Sequence, residues 1–356
     1  MKEGWEYRDF ESCLVKVPKQ VQVKSKEYKK EGRYPIVSQE AELISGYWDD
    51  EAIVYKHKEP VVIFGDHTKN IKYIDFDFVV GADGTHILST KTDINAKFFY
   101  YVLKSIKLRE LGYARHYKLL KEKTIPVPHL SEQQSIVDYL DSAFAKIDAI
   151  KANAEKALNE AKALFQASLK EMLEPKDGWE ENNLGEVCKE LFSGGDAPKG
   201  NMSKEPTDDY CIPIYANAAE LNGLYGYTNY YRVNEPSVTI AARGSGTGLV
   251  IKREGAYLPI VRLVVAIPKS FLNVDYLYFA LQAIRIKSNG TAIPQLTVPV
   301  IKQYRICYPS IIAEQQSIVD TLDSLKSKVD CLQENFDKIS QECDALKQAI
   351  LRQVFE

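Results

Sequence analysis

At 356 residues, 45% hydrophobic and 27% charged, the chain has the composition of a soluble globular protein with room for two domains of average size. No apolar run approaches the ~18 residues that a membrane-spanning helix needs, which excludes a membrane partner. The net charge of −3 argues against a nucleic-acid binder only as an average over the whole chain.

Local balances differ. Residues 1–130 carry 22 Lys and Arg against 19 Asp and Glu, and residues 178–312 carry 13 against 12. Residues 131–177 carry 6 against 9, and residues 313–356 carry 5 against 9. Two mildly basic segments therefore alternate with two acidic ones, and binding to a polyanion needs only a local basic face. The segment Met1–Trp5 has no apolar stretch of the signal-peptide kind. The cysteines (Cys13, Cys188, Cys211, Cys307, Cys331, Cys343) are scattered, with no CxxC and no histidine at metal-ligand spacing. A cytoplasmic protein without structural zinc or a disulfide framework is expected.

Residues 1–130 read as a mixed α/β globule. Lys16, Lys19, Lys24, Lys26, Lys29, Lys30 and Arg33 crowd an early polar stretch, a density that suits phosphate clamps, although Glu27 and Glu31 are interleaved and a solvated loop reads equally well. Strands are expected over Pro60–Phe64, Asn70–Asp75 and Thr85–Leu88, and a helix over Asn95–Leu108. The turn after the first strand, Gly65–Asn70, contains Lys69. Its Asp66 and His67, with Asp75 and Asp77, could suggest a metal nuclease, but a solvated turn is the expected reading. Arg115, His116 and Lys118 form a second basic cluster around Tyr117.

Residues 131–173 read as one long helix, opened by a Ser131-x-x-Gln134 capping box. Glu174–Gly178 is a helix stop leading into a second globule, residues 174–312. There, Ser237–Ala242, Gly248–Lys252 and Ile260–Pro268 are expected strands and Val274–Lys287 the helix. Lys199, Tyr227 and Arg232 belong to a basic and aromatic stretch. Arg243, Ser245 and Thr247 stand on a glycine-rich turn that could approach a backbone or a guanine edge. Residues 313–356 read as a second long helix, without the capping hydroxyl because Ala313 takes the place of Ser131.

An internal duplication organises these segments. Glu132–Asp138 reads EQQSIVD, and Glu314–Asp320 reads EQQSIVD again, 182 residues later. Gly4-Trp5-Glu6 is echoed by Gly178-Trp179-Glu180, and Pro35-Ile36 with Ala41-Glu42-Leu43 by Pro213-Ile214 with Ala219-Glu220-Leu221. In the second helix, Ile318, Leu322, Leu325, Val329, Leu332, Phe336, Ile339, Cys343, Leu346 and Ile350 step by four and three as an a/d seam. The first helix repeats the register with smaller residues: Ile136, Leu140, Ala143, Ile147, Ile150, Ala154, Ala157, Ala161, Leu164 and Ser168. Bulky against small suits mutual packing, the alternative being that each stripe packs on its own globule. About 40 residues at ~1.5 Å each make a rod of roughly 60 Å. The short linker forbids a return along that rod, so an antiparallel pair is expected, with a pseudo-twofold relating the halves.

Enzyme readings lack parts. Gly244-x-Gly246-x-Gly248 runs into the strand-like Leu249-Val250-Ile251, where a phosphate cradle needs a helix N-terminus. There is no Walker A lysine and no Asn/Asp-Pro-Pro-aromatic motif for methyl transfer. Instead, the framework positions repeat and the turns differ, as suits two scaffolds reading two different short sequences at a fixed separation.

The chain resembles the specificity subunit of type I restriction–modification systems. The resemblance rests on the Gly-Trp openings, on Ile125–Pro128 running into Glu132-Gln133-Gln134, on Tyr308-Pro309 running into Glu314-Gln315-Gln316, and on Gly290–Leu296, which contains Gln295. It implies two target-recognition domains, residues 1–130 and 174–312, each contacting one half of a bipartite, asymmetric site in double-stranded DNA. It further implies that the two long helices set the spacing and dock two methyltransferase subunits, with Glu132, Gln133, Leu140, Ile147, Glu314, Gln315, Leu322, Val329 and Phe336 the candidate positions. S-adenosylmethionine and ATP would then be bound by the methyltransferase and the restriction/translocase subunits, leaving this chain without a cofactor or a reaction of its own. A two-module scaffold binding protein or glycan is the alternative, and self-association of the isolated chain through its apolar seam stays open.

Overall fold

The computed structural model describes residues 2–109, 115–217, 220–243, 246–284 and 296–356. The chain forms two compact units, Met1–Ala154 with Phe336–Glu356, and Glu155–Asn335. The architecture is mixed α/β in both.

In the first unit, Val61–Gly65 is buried on both faces and sits inside a four-stranded antiparallel sheet, ordered Leu14–Val15, Thr85–Thr90, Val61–Gly65, Ile71–Ile74. Because successive side chains alternate faces, this one strand feeds two cores. Val62 and Phe64 join Leu88 and the helix Ala96–Ser105, while Val61 and Ile63 join Val37, Phe78 and Val80 of a second sheet. That second sheet has three parallel strands, Gln22–Val23, Phe78–Gly81 and Tyr34–Val37, with Gly46–Trp48 and Val54–Tyr55 antiparallel at its margins. Glu6–Asp9 pairs with Thr124–Val127 and closes the globule.

The second unit repeats this wiring. Its four-stranded sheet runs Cys188–Ser193, Val264–Pro268, Ser237–Ile240, Val250–Arg253. Ile212–Tyr215 pairs antiparallel with Leu224–Thr228 and parallel with Leu258–Pro259, as its counterpart Tyr34–Val37 does in the first unit. Trp179–Asn183 pairs with Arg305–Pro309. Each expected strand is present with ends moved by up to four residues, because strand ends are set by cross-strand partners that a local pattern does not contain.

The long helices run Leu130–Met172 and Ile312–Phe355. Within the first unit they are antiparallel: Asp148 pairs with Lys347 at 2.5 Å and Lys151 with Asp344 at 3.7 Å, so one number rises as the other falls. Within the second, Lys162 Nζ donates to Gln333 Oε1 at 2.7 Å, while Phe165 and Leu169 share a core with Ile318 and Leu322. The helix heads also pack on their globules, Val137 and Leu140 in the first unit and Ile318 and Leu322 in the second. Mutual packing and packing on the globule are therefore both present.

The strict a/d seam needs correction. Ile150, Leu164, Leu332 and Leu346 are exposed, and burial falls one residue later on the first helix, at Leu158 and Phe165. A straight helix drifts about 20° per heptad relative to a 3.5-residue repeat, so a seven-residue pattern walks off the contact line. The capping box is not formed either. Ser131 lies one residue inside the helix, and the Gln134 amide accepts from Asn95 Nδ2 at 2.9 Å and donates to Asp138 at 2.8 Å.

Leu322 is fully buried where helix and globule cores merge. Leu322→Ala is expected to destabilise the protein by about 2–5 kcal/mol, the sum of lost transfer energy and a residual cavity. Urea unfolding with a change below about 1 kcal/mol would contradict this packing.

Candidate nucleic-acid interface

Strand direction gathers the candidate surface. In the first unit the three parallel strands of the second sheet all end at one edge, and they deliver there the segments 24–33, 38–45 and 82–84. The turn 65–70 of the neighbouring sheet arrives at the same place, and one carboxamide joins three of these segments. Gln39 Oε1 accepts from His67 N at 3.1 Å and its Nε2 donates to Asp83 O at 3.0 Å, while the Gln39 backbone carbonyl accepts from Asn70 Nδ2 at 2.9 Å. A Cβ at Gly65 would lie 2.8 Å from Gln39 Cβ, a close approach that requires glycine. Tyr28 joins the remaining segment, its hydroxyl accepting from Ala82 N at 2.8 Å.

The second unit builds the same clamp from Asn217. Its Oδ1 accepts from Ala242 N at 2.8 Å and its Nδ2 donates to Val261 O, again tying the hairpin loop, the strand tip and the third loop together. Val261 and Arg262 on that third loop adopt the left-handed conformation, with φ of 51° and 62°. Gln39 and Asn217 were not singled out from the sequence. The available signal was an amide standing two residues before the repeated Ala-Glu-Leu in both copies.

The structure sorts the expected DNA-contact residues. Lys24, Lys26, Lys29, Lys30 and Arg33 are exposed on the segment that follows the first parallel strand. Two of them are engaged: Lys29 pairs with Asp49 at 2.6 Å, holding that carboxyl below its ordinary range, and Arg33 lies over the Tyr34 ring. Lys69 sits in the 65–70 turn with φ of 59°. Arg115 and Lys118 are exposed beside that turn. In the second unit Arg243 is exposed and Thr247 half-buried at the strand tip, while Ser245 and Gln295 lie outside the described residues. Arg232 is exposed but stacks over Phe192 at 4.0 Å, Tyr227 is a half-buried strand residue, and Lys199 is exposed on a surface bend.

His116 requires correction. It is fully buried, and its backbone N donates to Asp66 O at 2.9 Å, as Leu296 N donates to Ala242 O at 2.9 Å in the second unit. It therefore occupies the packing position of Leu296 and has no surface to offer DNA. Asp66, expected on a solvated turn, is 3% exposed. Its Oδ1 accepts from Tyr117 N at 2.8 Å, its Oδ2 lies 3.4 Å from His86 Nε2 and 3.9 Å from Arg115 Nε, and His86 stacks on Tyr117 at 4.0 Å. The carboxylate anchors the segment that carries Arg115. Asp77 is engaged elsewhere, with His57 at 2.7 Å, and no cluster among the described residues could hold a metal ion.

The helix-head residues also divide. Gln133 and Gln315 are fully buried and cannot meet a partner. Gln133 Oε1 accepts from Asn95 N at 2.8 Å and its Nε2 donates to Asp93 O and Pro128 O; Gln315 does the same with Asn273 N, Phe271 O and Pro309 O. Asn95 and Asn273 in turn cap the globule helices. Glu132 and Glu314 accept from Trp5 Nε1 at 2.8 Å and Trp179 Nε1 at 3.2 Å, which explains the Gly-Trp openings. The EQQ motif is thus a lock between globule and helix. Leu140, Ile147 and Leu322 are buried, and Val329 and Phe336 half-buried, in the helix packing.

A twice-built loop platform, each locked to the head of a long helix, defines a tandem-duplicated recognition protein. The family model described as the type I restriction modification DNA specificity domain matches residues 3–160 and again 176–341. The chain belongs to that family. It is 31% identical over 243 residues to a protein of Mycoplasma pneumoniae named as a type I specificity subunit, a match spanning 65% of each chain and so just under two thirds of that relative's length. It is 25% identical over 358 residues to the EcoR124I/EcoR124II specificity subunit of Escherichia coli, covering 89% of this chain and 85% of that one. A solved chain of a type I R-M system, 18% identical, superposes over 100% of this chain and 98% of its own with a TM-score of 0.74, which establishes the shared fold. Among the described residues no helix is long and apolar enough to cross a membrane.

Proposed function

We propose that the chain is the DNA-reading subunit of a type I restriction–modification complex, each globule contacting one half of a bipartite, asymmetric target in double-stranded DNA. The observation that carries this is the repeated loop platform: one amide-clamped framework, built twice, presents unlike tips. Lys69 and Arg115 stand on the first platform, and Arg243, Thr247 and Arg262 on the second. Cations on polar loops supply the phosphate contacts, and side chains at the tips read base edges. The long helices act as spacer and as the dock for two methyltransferase subunits. Tyr139, Ile150, Leu164, Leu332 and Leu346 are apolar, exposed along those helices and suited to a partner's surface. S-adenosylmethionine and ATP belong, in this reading, to the methyltransferase and the restriction/translocase subunits, and this chain supplies address and geometry.

The test is retention on a randomised duplex pool by the chain reconstituted with its methyltransferase subunits, followed by sequencing of the bound fraction. Two short unlike motifs at one fixed spacing are expected. Counterion release should weaken binding by about a thousandfold or more between roughly 50 and 200 mM salt. Salt-insensitive binding without motifs would instead support a protein- or glycan-binding scaffold.

A further inference from the structure

Among the described residues, each unit buries one Lys or Arg side chain that is held by carbonyls and hydroxyls rather than by an ion pair. Lys72, 6% exposed, lies on the last strand of the first four-stranded sheet, and its Nζ donates to Ser38 O at 2.9 Å and to Glu42 O. Arg253, 6% exposed, lies on the equivalent strand of the second unit. It donates through Nε to Thr239 Oγ1 at 3.1 Å and through an η-nitrogen to Asn222 O at 2.5 Å, and its guanidinium lies 3.6 Å from the Tyr215 ring. Ile74 pairs with Val61 and Arg253 with Ser237, and alternate residues share a face. The two cations thus project from the same face of equivalent strands, two positions apart.

Both reach the same element. Ser38 and Glu42 belong to the hairpin loop 38–45, and Asn222 to the loop that joins the corresponding strands of the second unit. These are the loops that Gln39 and Asn217 tie to the reading tips. Burial lowers the proton affinity of both cations, with desolvation the largest cause. A charge is held in such a place only where carbonyls or hydroxyls replace its water, so the cation dictates where those carbonyls converge. The ammonium with its three donors and the planar guanidinium place their carbonyls differently.

We infer that Lys72 and Arg253 are positioning residues for base recognition, each setting the hairpin loop of its own globule against that globule's reading tips. This rests on the DNA-reading function proposed above. Neither side chain touches DNA; each acts through the loop it holds.

The experiment repeats the pool selection with wild type, Lys72→Met and Arg253→Met, each in the reconstituted complex. Wild type must first yield its two motifs; a wild-type pool without motifs would overturn the reading itself, and the inference with it. Lys72→Met should reduce discrimination at the half-site of the first globule by about tenfold, while the second motif, the spacing, non-specific affinity and the salt slope stay at wild-type values. Arg253→Met should do the converse. Lys72→Arg and Arg253→Lys, which restore a cation, should recover part of the lost discrimination. Lys72→Gln, which keeps N–H donors without the charge, carries the test if Lys72→Met does not fold by circular dichroism. Two variants that keep both motifs intact would overturn the inference. So would a loss of specificity matched by an equal loss of non-specific affinity, since that is what a phosphate contact or a merely structural role would give.

Discussion

Gln315→Ala is expected to destabilise the second unit by about 2–4 kcal/mol, and Gln133→Ala to do the same in the first, because each truncation takes the partner from one buried and two half-buried backbone groups at up to about 1–3 kcal/mol each, partly relieved by entering water. In the second unit these groups are Asn273 N–H and the carbonyls of Phe271 and Pro309; in the first they are Asn95 N–H and the carbonyls of Asp93 and Pro128. The loss also loosens Asn273 and Asn95, whose side chains cap the globule helices. Gln315→Met keeps most of the volume and should cost nearly as much, since the orphaned groups remain. Glu314→Gln, by contrast, still accepts from Trp179 at an exposed position and should change stability by less than about 0.5 kcal/mol. Equilibrium urea unfolding decides the matter: a Gln315→Ala midpoint within error of wild type would mean that this amide does not lock helix to globule.

The second large effect is expected at Asp66. Asp66→Ala removes the acceptor for Tyr117 N–H, the partner of His86 and the neighbour of Arg115. A cost of about 1–3 kcal/mol follows from the orphaned Tyr117 amide, and the half-buried His86 imidazole loses the carboxylate beside it. On the proposed DNA-reading function, release of the segment that carries Arg115 should also relax recognition at the first half-site while leaving the second unchanged. Asp66→Asn retains an oxygen for Tyr117 N–H, so most of the stability should return. Thermal unfolding and the pool selection together separate the two consequences. If Asp66→Ala kept full discrimination at both half-sites, the anchoring role would be lost, whatever its stability.

Much was legible because local pattern encoded it. The EQQSIVD repeat, the Gly-Trp openings and the periodic apolar residues marked two globules and two long helices, since helix periodicity and duplication are properties of neighbouring residues. The antiparallel pairing was legible too, because a short linker leaves no other route. The site was legible only in part. Exposed cations such as Lys24, Lys26 and Arg115 stand where polar loops were expected.

Tertiary structure decided what depends on partners distant in the chain. His116 reads as basic and available, yet the fold uses it as a core plug against the Asp66 backbone, its Nδ1 lying 3.0 Å from Asp66 O. Gln133 and Gln315 read as helix-surface residues and turn inward, where each bonds three backbone groups. The strict heptad failed over distance, since 3.6 residues per turn is not 3.5. Gln39, Asn217, Lys72 and Arg253 gained their roles only when parallel strands delivered separate loops to one edge. A carboxamide or a buried cation has no meaning in sequence until the fold shows which carbonyls it must satisfy.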